Sequence, residues 1–234
     1  MSWQTSSGVL VLRSIGRALG INKLIGTRMR GETYEERYDS ALSSALRPDD
    51  CVWDVGANIG HYTKMFSEIV GPNGRVVAFE PSPNNFDRLL TECAGIGNVA
   101  LLNIGLGSEE GTVPFLQGQD DLGATSRVVT SSPDSVDVQL RTGDGLVVQG
   151  DAPPPTALKI DVEGFEKEVL EGLGSTLNRR ELHLIGIEVH FGLLKQRGLT
   201  KAPREIEEML KQRGFSLRWT DSSHLLAQRI SSST

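Results

Sequence analysis

Four apolar runs in this sequence carry ionisable residues at or near their ends. "CVWDV" holds Asp54, "RVVAFE" ends on Glu80, "ALKIDV" holds Asp161, and "HLIGIEVH" holds Glu188 and His190. A charge buried without a partner is costly, so such groups mark strand ends that open onto a ligand. Asp54 leads into "VGANIGHYT", where Gly56 and Gly60 bracket a turn. Glycines there let a ligand approach the backbone closely. The dinucleotide fingerprint Gly-x-Gly-x-x-Gly is broken by Ala57 and Asn58. An acid at that strand end repels phosphate and suits a cationic or amine-bearing ligand. Glu80 can accept both hydroxyls of a ribose, a geometry common to nicotinamide and adenosyl ligands. Taken together, Asp54 and Glu80 favour S-adenosylmethionine, which has a ribose, an amino-acid tail and no phosphate. The candidate cofactor-binding residues are Asp54, Gly56, Asn58, Gly60, Glu80, Pro81, Asn103 and Asp161.

Methyl transfer from a sulfonium is an in-line displacement, and an alcohol acceptor needs a base to take its proton. Gly186, Glu188 and His190 share one strand face by period two. His190 is the first candidate base, because a neutral imidazole is available near pH 7. Asp161 is the second, and Glu188 completes the catalytic set. A divalent metal is the other route to an activated hydroxyl. Asp161 and Glu188, with Asp144, offer oxygen ligands to magnesium, although nothing in the spacing demands a metal. Each residue also has a structural reading. His190 can bond a neighbouring carbonyl, and Glu163 can favour a helix dipole and pair with Lys167 one turn on.

These residues need a frame. From Cys51 onward strands and helices alternate, which predicts a doubly wound, mostly parallel α/β sheet with right-handed crossovers. Ligands of such sheets sit beyond the carboxyl ends of the strands. Residues 107–156 break the rhythm with short strands, predicting a small antiparallel elaboration. "FSLRWT" and "HLLAQRI" predict a closing hairpin at the sheet edge. Upstream, residues 1–47 read as a helical extension of a domain spanning 48–234. In its first part Val9, Leu12, Ile15 and Leu19 share a helical face that would suit the domain's own core or a homodimer contact. "ETYEERYDSALSSAL" predicts a second helix, stopped by Pro48. Acceptor recognition is expected from these helices, from the 117–127 loop "QGQDDLGATSR" and from the segment after His190.

The 234 residues carry a net charge of −6, which argues against a nucleic-acid binder. Cys51 and Cys93 fit no paired motif and suit free thiols in a reducing, cytoplasmic setting. No apolar run approaches the ~20 residues of a membrane span.

"VWDVGANIGHYT" resembles the first motif of class I methyltransferases. With "VVAFEPSPNNFDRL", "LKIDVEGFEKEVLEG" and "IGIEVH", the chain resembles the FkbM family over about Tyr34 to His190. The resemblance implies a seven-stranded sheet with a reversed last strand. It also implies S-adenosylmethionine-dependent O-methylation of sugars, polyketides and related secondary metabolites. "TYEERY" and "RTGDGL" echo two weaker family patterns, departing from them at Glu36 and Gly143. Through them, and through the stronger "LKIDVEG" motif, Tyr34, Glu35, Asp144 and Glu163 are candidate substrate-binding residues. Two other functions compete. A nicotinamide-dependent oxidoreductase would share the fold, but its fingerprint is incomplete and no Tyr-x-x-x-Lys pair occurs. A non-catalytic binding domain would tend to lose Asp54, Glu80 or the turn glycines, and all are present.

Overall fold

The apolar runs of the sequence become strands, and the amphipathic segments between them become the covering helices. The computed structural model describes residues 34–116, 127–128 and 134–230. The helix predicted over residues 9–19, the dimer contact suggested for it and most of the 117–127 loop lie outside those residues. Helix α1 (Tyr34–Ala45) precedes β1 (Cys51–Val55), α2 (His61–Val70), β2 (Arg75–Phe79), α3 (Pro83–Glu92) and β3 (Val99–Leu102). Next come β4 (Gly105–Leu106), β5 (Gly111–Leu116), β6 (Arg127–Val128), β7 (Ser135–Arg141) and α4 (Gly143–Gln149). The chain continues through β8 (Ala157–Ile160), α5 (Glu166–Glu171), β9 (Leu184–Glu188), α6 (Phe191–Gln196) and α7 (Ala202–Gln212). It closes with β10 (Phe215–Trp219) and β11 (His224–Arg229).

Among the described residues the main sheet has seven strands in the order β10-β11-β9-β8-β1-β2-β3. The β1–β2, β2–β3, β1–β8 and β8–β9 pairs are all parallel. Strand order reverses at β1, so the ligand crevice opens above the carboxyl ends of β1 and β8. The closing hairpin stands at the sheet edge, as the sequence predicted. Its outer strand is β10; β11 lies between β9 and β10, antiparallel to both. The side chains give the reason: His224 to Ala227 are buried without interruption, as an interior strand requires, whereas β10 alternates buried and wetter positions.

The run "NVALLNIGL" is also not one strand. It bends at Asn103 and Ile104, leaving β3 in the main sheet and sending β4 to a second sheet ordered β4-β7-β5-β6. There β5 pairs antiparallel with β6 and β7, as expected, while β4 runs parallel to β7.

Strand alternation divides the core. Trp53, Val55, Phe79, Leu158, Ile160 and Ile187 pack on one face with residues of α5, α6 and α7. Val52, Val76, Ala157, Leu184 and Leu226 pack on the other with Tyr38 and Leu42 of α1 and Phe66 and Val70 of α2. Helix α1 therefore contributes to the core of the sheet. No helix among the described residues is long and apolar enough to cross a membrane.

Candidate active site

The first turn is held open by close backbone approach. Gly56 has φ +81, and a Cβ there would lie 1.9 Å from the carbonyl oxygen of Asp161, so no side chain fits between the ends of β1 and β8. Gly60 (φ +91) packs the start of α2 against Leu89 and Cys93, which a Cβ would strike at 2.7 and 3.0 Å. The backbone amides of Gly56 and Ala57 both donate to Phe79 O, tying the turn to the end of β2. Beside it Glu80 is nearly buried. Its Oε2 accepts from Asn58 N at 2.8 Å and its Oε1 from Ser82 N at 2.9 Å. Burial pushes the Glu80 carboxyl up to about 7, against the pull of those amides and of Lys159. Asn58 sits at φ +52, and its Oδ1 is buried with no hydrogen-bond partner among the described residues.

A cavity runs from this turn across the carboxyl edge. Gly56, Asn58, Glu80 and Pro81 line one side; Phe115, Val138 and Leu140 of the second sheet form an apolar wall; Asp161, Glu163 and Phe165 close the far side. The wall explains why a small sheet replaces a helix here: it covers the crevice with apolar side chains.

Register then places the charges. Asp54 is the neighbour of Lys159 across the β1–β8 pair, and the two side chains share a face. Asp54 is fully buried. Its Oδ2 accepts from Thr63 Oγ1 at 2.6 Å and its Oδ1 lies 3.2 Å from Lys159 Nζ. Lys159 Nζ also donates to Gly56 O at 3.0 Å, lies 3.6 Å from Asp161 Oδ2 and sits over the Tyr62 ring. Burial alone would lower the Lys159 pKa, but Asp54, Asp161 and Glu188 outweigh it and hold the ammonium above its ordinary value. Asp54 is thus neutralised from beneath the turn.

Further along the edge, carboxylates converge on His190. Its Nδ1 lies 2.6 Å from Glu166 Oε1. Its Nε2 lies 3.2 Å from Glu163 Oε2, 3.6 Å from Asp161 Oδ1 and 3.8 Å from Glu188 Oε1. Glu188 in turn reaches His224 Nε2 at 3.4 Å, and His224 Nδ1 is 2.7 Å from Asp221 Oδ2. Burial opposes a charge on His190, but hydrogen bonds and charges from Glu163 and Glu166 hold its pKa well above the usual range. That direction runs against the expectation of a neutral imidazole near pH 7.

The cavity is thus lined by a glycine turn and a buried acid at the end of β2, and the His190 cluster borders it. The methyltransferase FkbM domain model matches residues 54–217 of this chain. The chain belongs to the FkbM methyltransferase family. As a member it is an S-adenosylmethionine-dependent methyltransferase with a Rossmann-like fold. It is 31% identical over 194 residues to the hexuronic acid methyltransferase AglP of Haloferax volcanii, covering 82% of this chain and 74% of that protein. The FkbM methyltransferase structure from Methylobacillus flagellatus KT aligns at TM-score 0.50 and 15% identity, over 92% of this chain and 60% of that one. This chain therefore spans less than two thirds of that solved relative. SMU.1697c of Streptococcus mutans, solved in complex with SAH, aligns at TM-score 0.52 and 14% identity, over 86% of this chain and all (100%) of that one. At such identities these two structures speak for the fold alone.

The remaining sequence candidates of this FkbM chain divide. Asp144 does not line the cavity; its carboxylate oxygens accept from Ser175 N and Thr176 N at 2.7 and 2.8 Å, capping a short 3-10 turn. Asn103 donates its Nδ2 to the carbonyls of Glu80 and Pro81, fixing the backbone where β2 ends. Glu163 does not pair with Lys167, which instead meets Glu171 and Glu205. Its left-handed backbone (φ +50) turns the side chain to His190. Tyr34 and Glu35 open α1, and their side chains lie outside the described residues. Sequence reasoning missed Lys159, Glu166 and His224. Lys159 was visible as a cation inside an apolar strand, two residues before Asp161. Glu166 gave no such signal, because acidic residues in a first helical turn are common.

Proposed function

We propose that this methyltransferase transfers its methyl group to a hydroxyl oxygen of a sugar, an oligosaccharide or a related secondary metabolite. The observation that carries the reading is the convergence of Asp161, Glu163 and Glu188 on His190 beside the cofactor cavity. Several acceptors and one charged donor around one point suit a hydroxyl-bearing ring. The likeness to a hexuronic acid methyltransferase supports a carbohydrate acceptor, and the net charge of −6 disfavours a nucleic acid.

When bound, S-adenosylmethionine supplies an electrophilic methyl group on a sulfonium centre. The chain's own residues fit that ligand. Glu80, its oxygens already aligned by two amides, is suited to accept from ribose hydroxyls. Gly56 leaves space a Cβ would fill, and the orphaned Asn58 Oδ1 is a ready acceptor. Phe115, Val138 and Leu140 suit a purine face. Asp54 acts through Lys159 and Thr63 to hold the turn's shape and charge, in place of the direct grip on an amine that its position suggested. Toward the acceptor, His190 donates from Nε2 and orients the oxygen, while a carboxylate of the Asp161–Glu163–Glu188 group takes the hydroxyl proton. That assigns His190 a positioning role unless it first loses its own proton. The free Cys51 and Cys93 suit a reducing cytoplasm.

The test is incubation with S-adenosylmethionine and a panel of hexoses, hexuronic acids and short glycans, followed by mass spectrometry. A methyl ether on a ring hydroxyl, with S-adenosylhomocysteine released in equal amount, is expected. Methylation confined to nitrogen or carbon acceptors would overturn the assignment.

A further inference from the structure

We propose that Asp161, Glu163 and His190 form a binding site for a divalent first-row metal ion of the Mn2+ type, placed to hold the acceptor hydroxyl. The proposal rests on the hydroxyl-transfer reading above and deepens it. One atom from each of the three side chains lies within 4.8 Å of the other two. An ion with bonds of about 2.0–2.2 Å holds ligand atoms up to about 4.4 Å apart, so small rotations close the set.

Two further observations separate this cluster from an ordinary acidic surface. His190, Asp161 and the neighbouring Glu188 are each held from outside through the other end. His190 is almost fully buried, and Glu166, itself fully buried, holds Nδ1 and leaves Nε2 facing inward. Lys159 lies against Asp161 Oδ2, while Oδ1 is the atom nearest His190. His224 lies against Glu188 Oε2, while Oε1 is the atom nearest His190. This is the arrangement by which proteins fix metal-binding histidines and carboxylates. Independently, the Tyr38 hydroxyl is buried and has no hydrogen-bond partner among the described residues. Tyr38 stacks on His224 with ring centroids 4.3 Å apart. Asp161 and Glu188 are near enough that their charges add to burial and Tyr62 in opposing its ionisation. That places an unpartnered buried hydroxyl beside the His224–Glu188 pair, suited to bond an ion's water or the acceptor itself.

The donor set chooses the ion. Oxygen ligands alone would suit Mg2+ or Ca2+, but Mg2+ keeps most of its waters and uses one or two carboxylates. An imidazole nitrogen with carboxylates shifts the preference toward first-row ions that accept both. Asp144, which the sequence offered as a magnesium ligand, is occupied at the 3-10 turn and takes no part. Such an ion would displace the Nε2 proton of His190 on binding and would polarise the acceptor hydroxyl, whose proton Glu188, the remaining carboxylate at the centre, would take.

Mn2+ titration of the full chain, followed by loss of the free-ion paramagnetic resonance signal, tests this directly. One bound ion per chain is expected, with binding abolished in Asp161→Asn and weakened about 10–100-fold in Glu166→Gln. Cooperative thermal unfolding, measured on the same samples, shows that each variant retains the fold. Wild-type protein that is stabilised by S-adenosylhomocysteine yet leaves the Mn2+ signal unchanged would overturn the metal site alone. Mn2+ binding that survives both substitutions would overturn it too, by locating the ion elsewhere. Mn2+ binding without any response to S-adenosylhomocysteine would keep the site and remove the methyl-transfer reading beneath it.

Discussion

Lys159→Met removes the one cation that touches Asp54 among the described residues, and the structure sets the size of the effect. Both side chains are essentially out of water: Lys159 is 4% and Asp54 0% exposed at 3.2 Å. Methionine keeps most of the lysine stem, so packing changes little. What is lost is the ammonium, which leaves Asp54 with only the Thr63 hydroxyl and leaves Gly56 O without its donor. Breaking a buried pair from one side costs about 3–5 kcal/mol. In a domain of this size each kcal/mol is worth about 2–4 °C, so Tm falls by roughly 6–20 °C. Urea unfolding followed by fluorescence of the buried Trp53 measures the loss, and S-adenosylhomocysteine affinity should fall with it as the turn relaxes. Adding Asp54→Asn to Lys159→Met removes the stranded charge and should recover more than half of the lost stability, a coupling that a double-mutant cycle isolates. A single-variant loss below about 1 kcal/mol, the range of an exposed ion pair, would refute the reasoning.

Other predictions rest on separate groups. Burial raises the Glu80 carboxyl from 4.5 to about 7. Ionising it in the folded protein therefore opposes stability, an effect absent at low pH, growing from about pH 4.5 and complete above about 7, worth at most about 3 kcal/mol. Glu80→Gln should remove that slope from the stability profile while weakening S-adenosylhomocysteine binding in calorimetry. His224 gives a slope of the same sign at higher pH for a different reason: burial opposes its charge, but Asp221 and Glu188 raise it to about 9 from 6.5. Its stabilising contribution is fully present below about pH 6.5 and disappears as pH rises through about 9, a decline that His224→Gln should abolish in pH-dependent melting. Glu188→Gln should lower kcat by about 10²–10⁴-fold, the usual worth of a general base, with cofactor affinity unchanged. His190→Ala should also act mainly on kcat.

How far these sites were legible in the sequence depends on their physics. The doubly wound, mostly parallel sheet followed from alternation: apolar runs at Cys51, Val76, Leu158 and Ile185 and amphipathic helices between them admit few topologies. Asp54, Glu80, Asp161, Glu188 and His190 stood out because each interrupts an apolar run. The geometry between them was not legible. That Asp54 faces Lys159 depends on the β1–β8 register, which sequence spacing does not encode. The contact that holds His190 Nδ1 comes from Glu166, in another element, whose residue type is ordinary for its place. Asp144 shows the reverse error. A carboxylate near a family motif read as a substrate ligand, yet it caps the backbone at Ser175 and Thr176.

The account depends most on methyl transfer to oxygen, and one measurement addresses it without intermediates. Purified full chain is given S-adenosylmethionine with a labelled methyl group and a mixture of hexose and hexuronic acid glycans, and the labelled product is resolved by tandem mass spectrometry. A single labelled methyl ether on a ring hydroxyl is predicted, lost in Glu80→Ala and in Glu188→Gln. Label recovered on an amine or a carbon, or label transfer that persists without both carboxylates, would contradict the account.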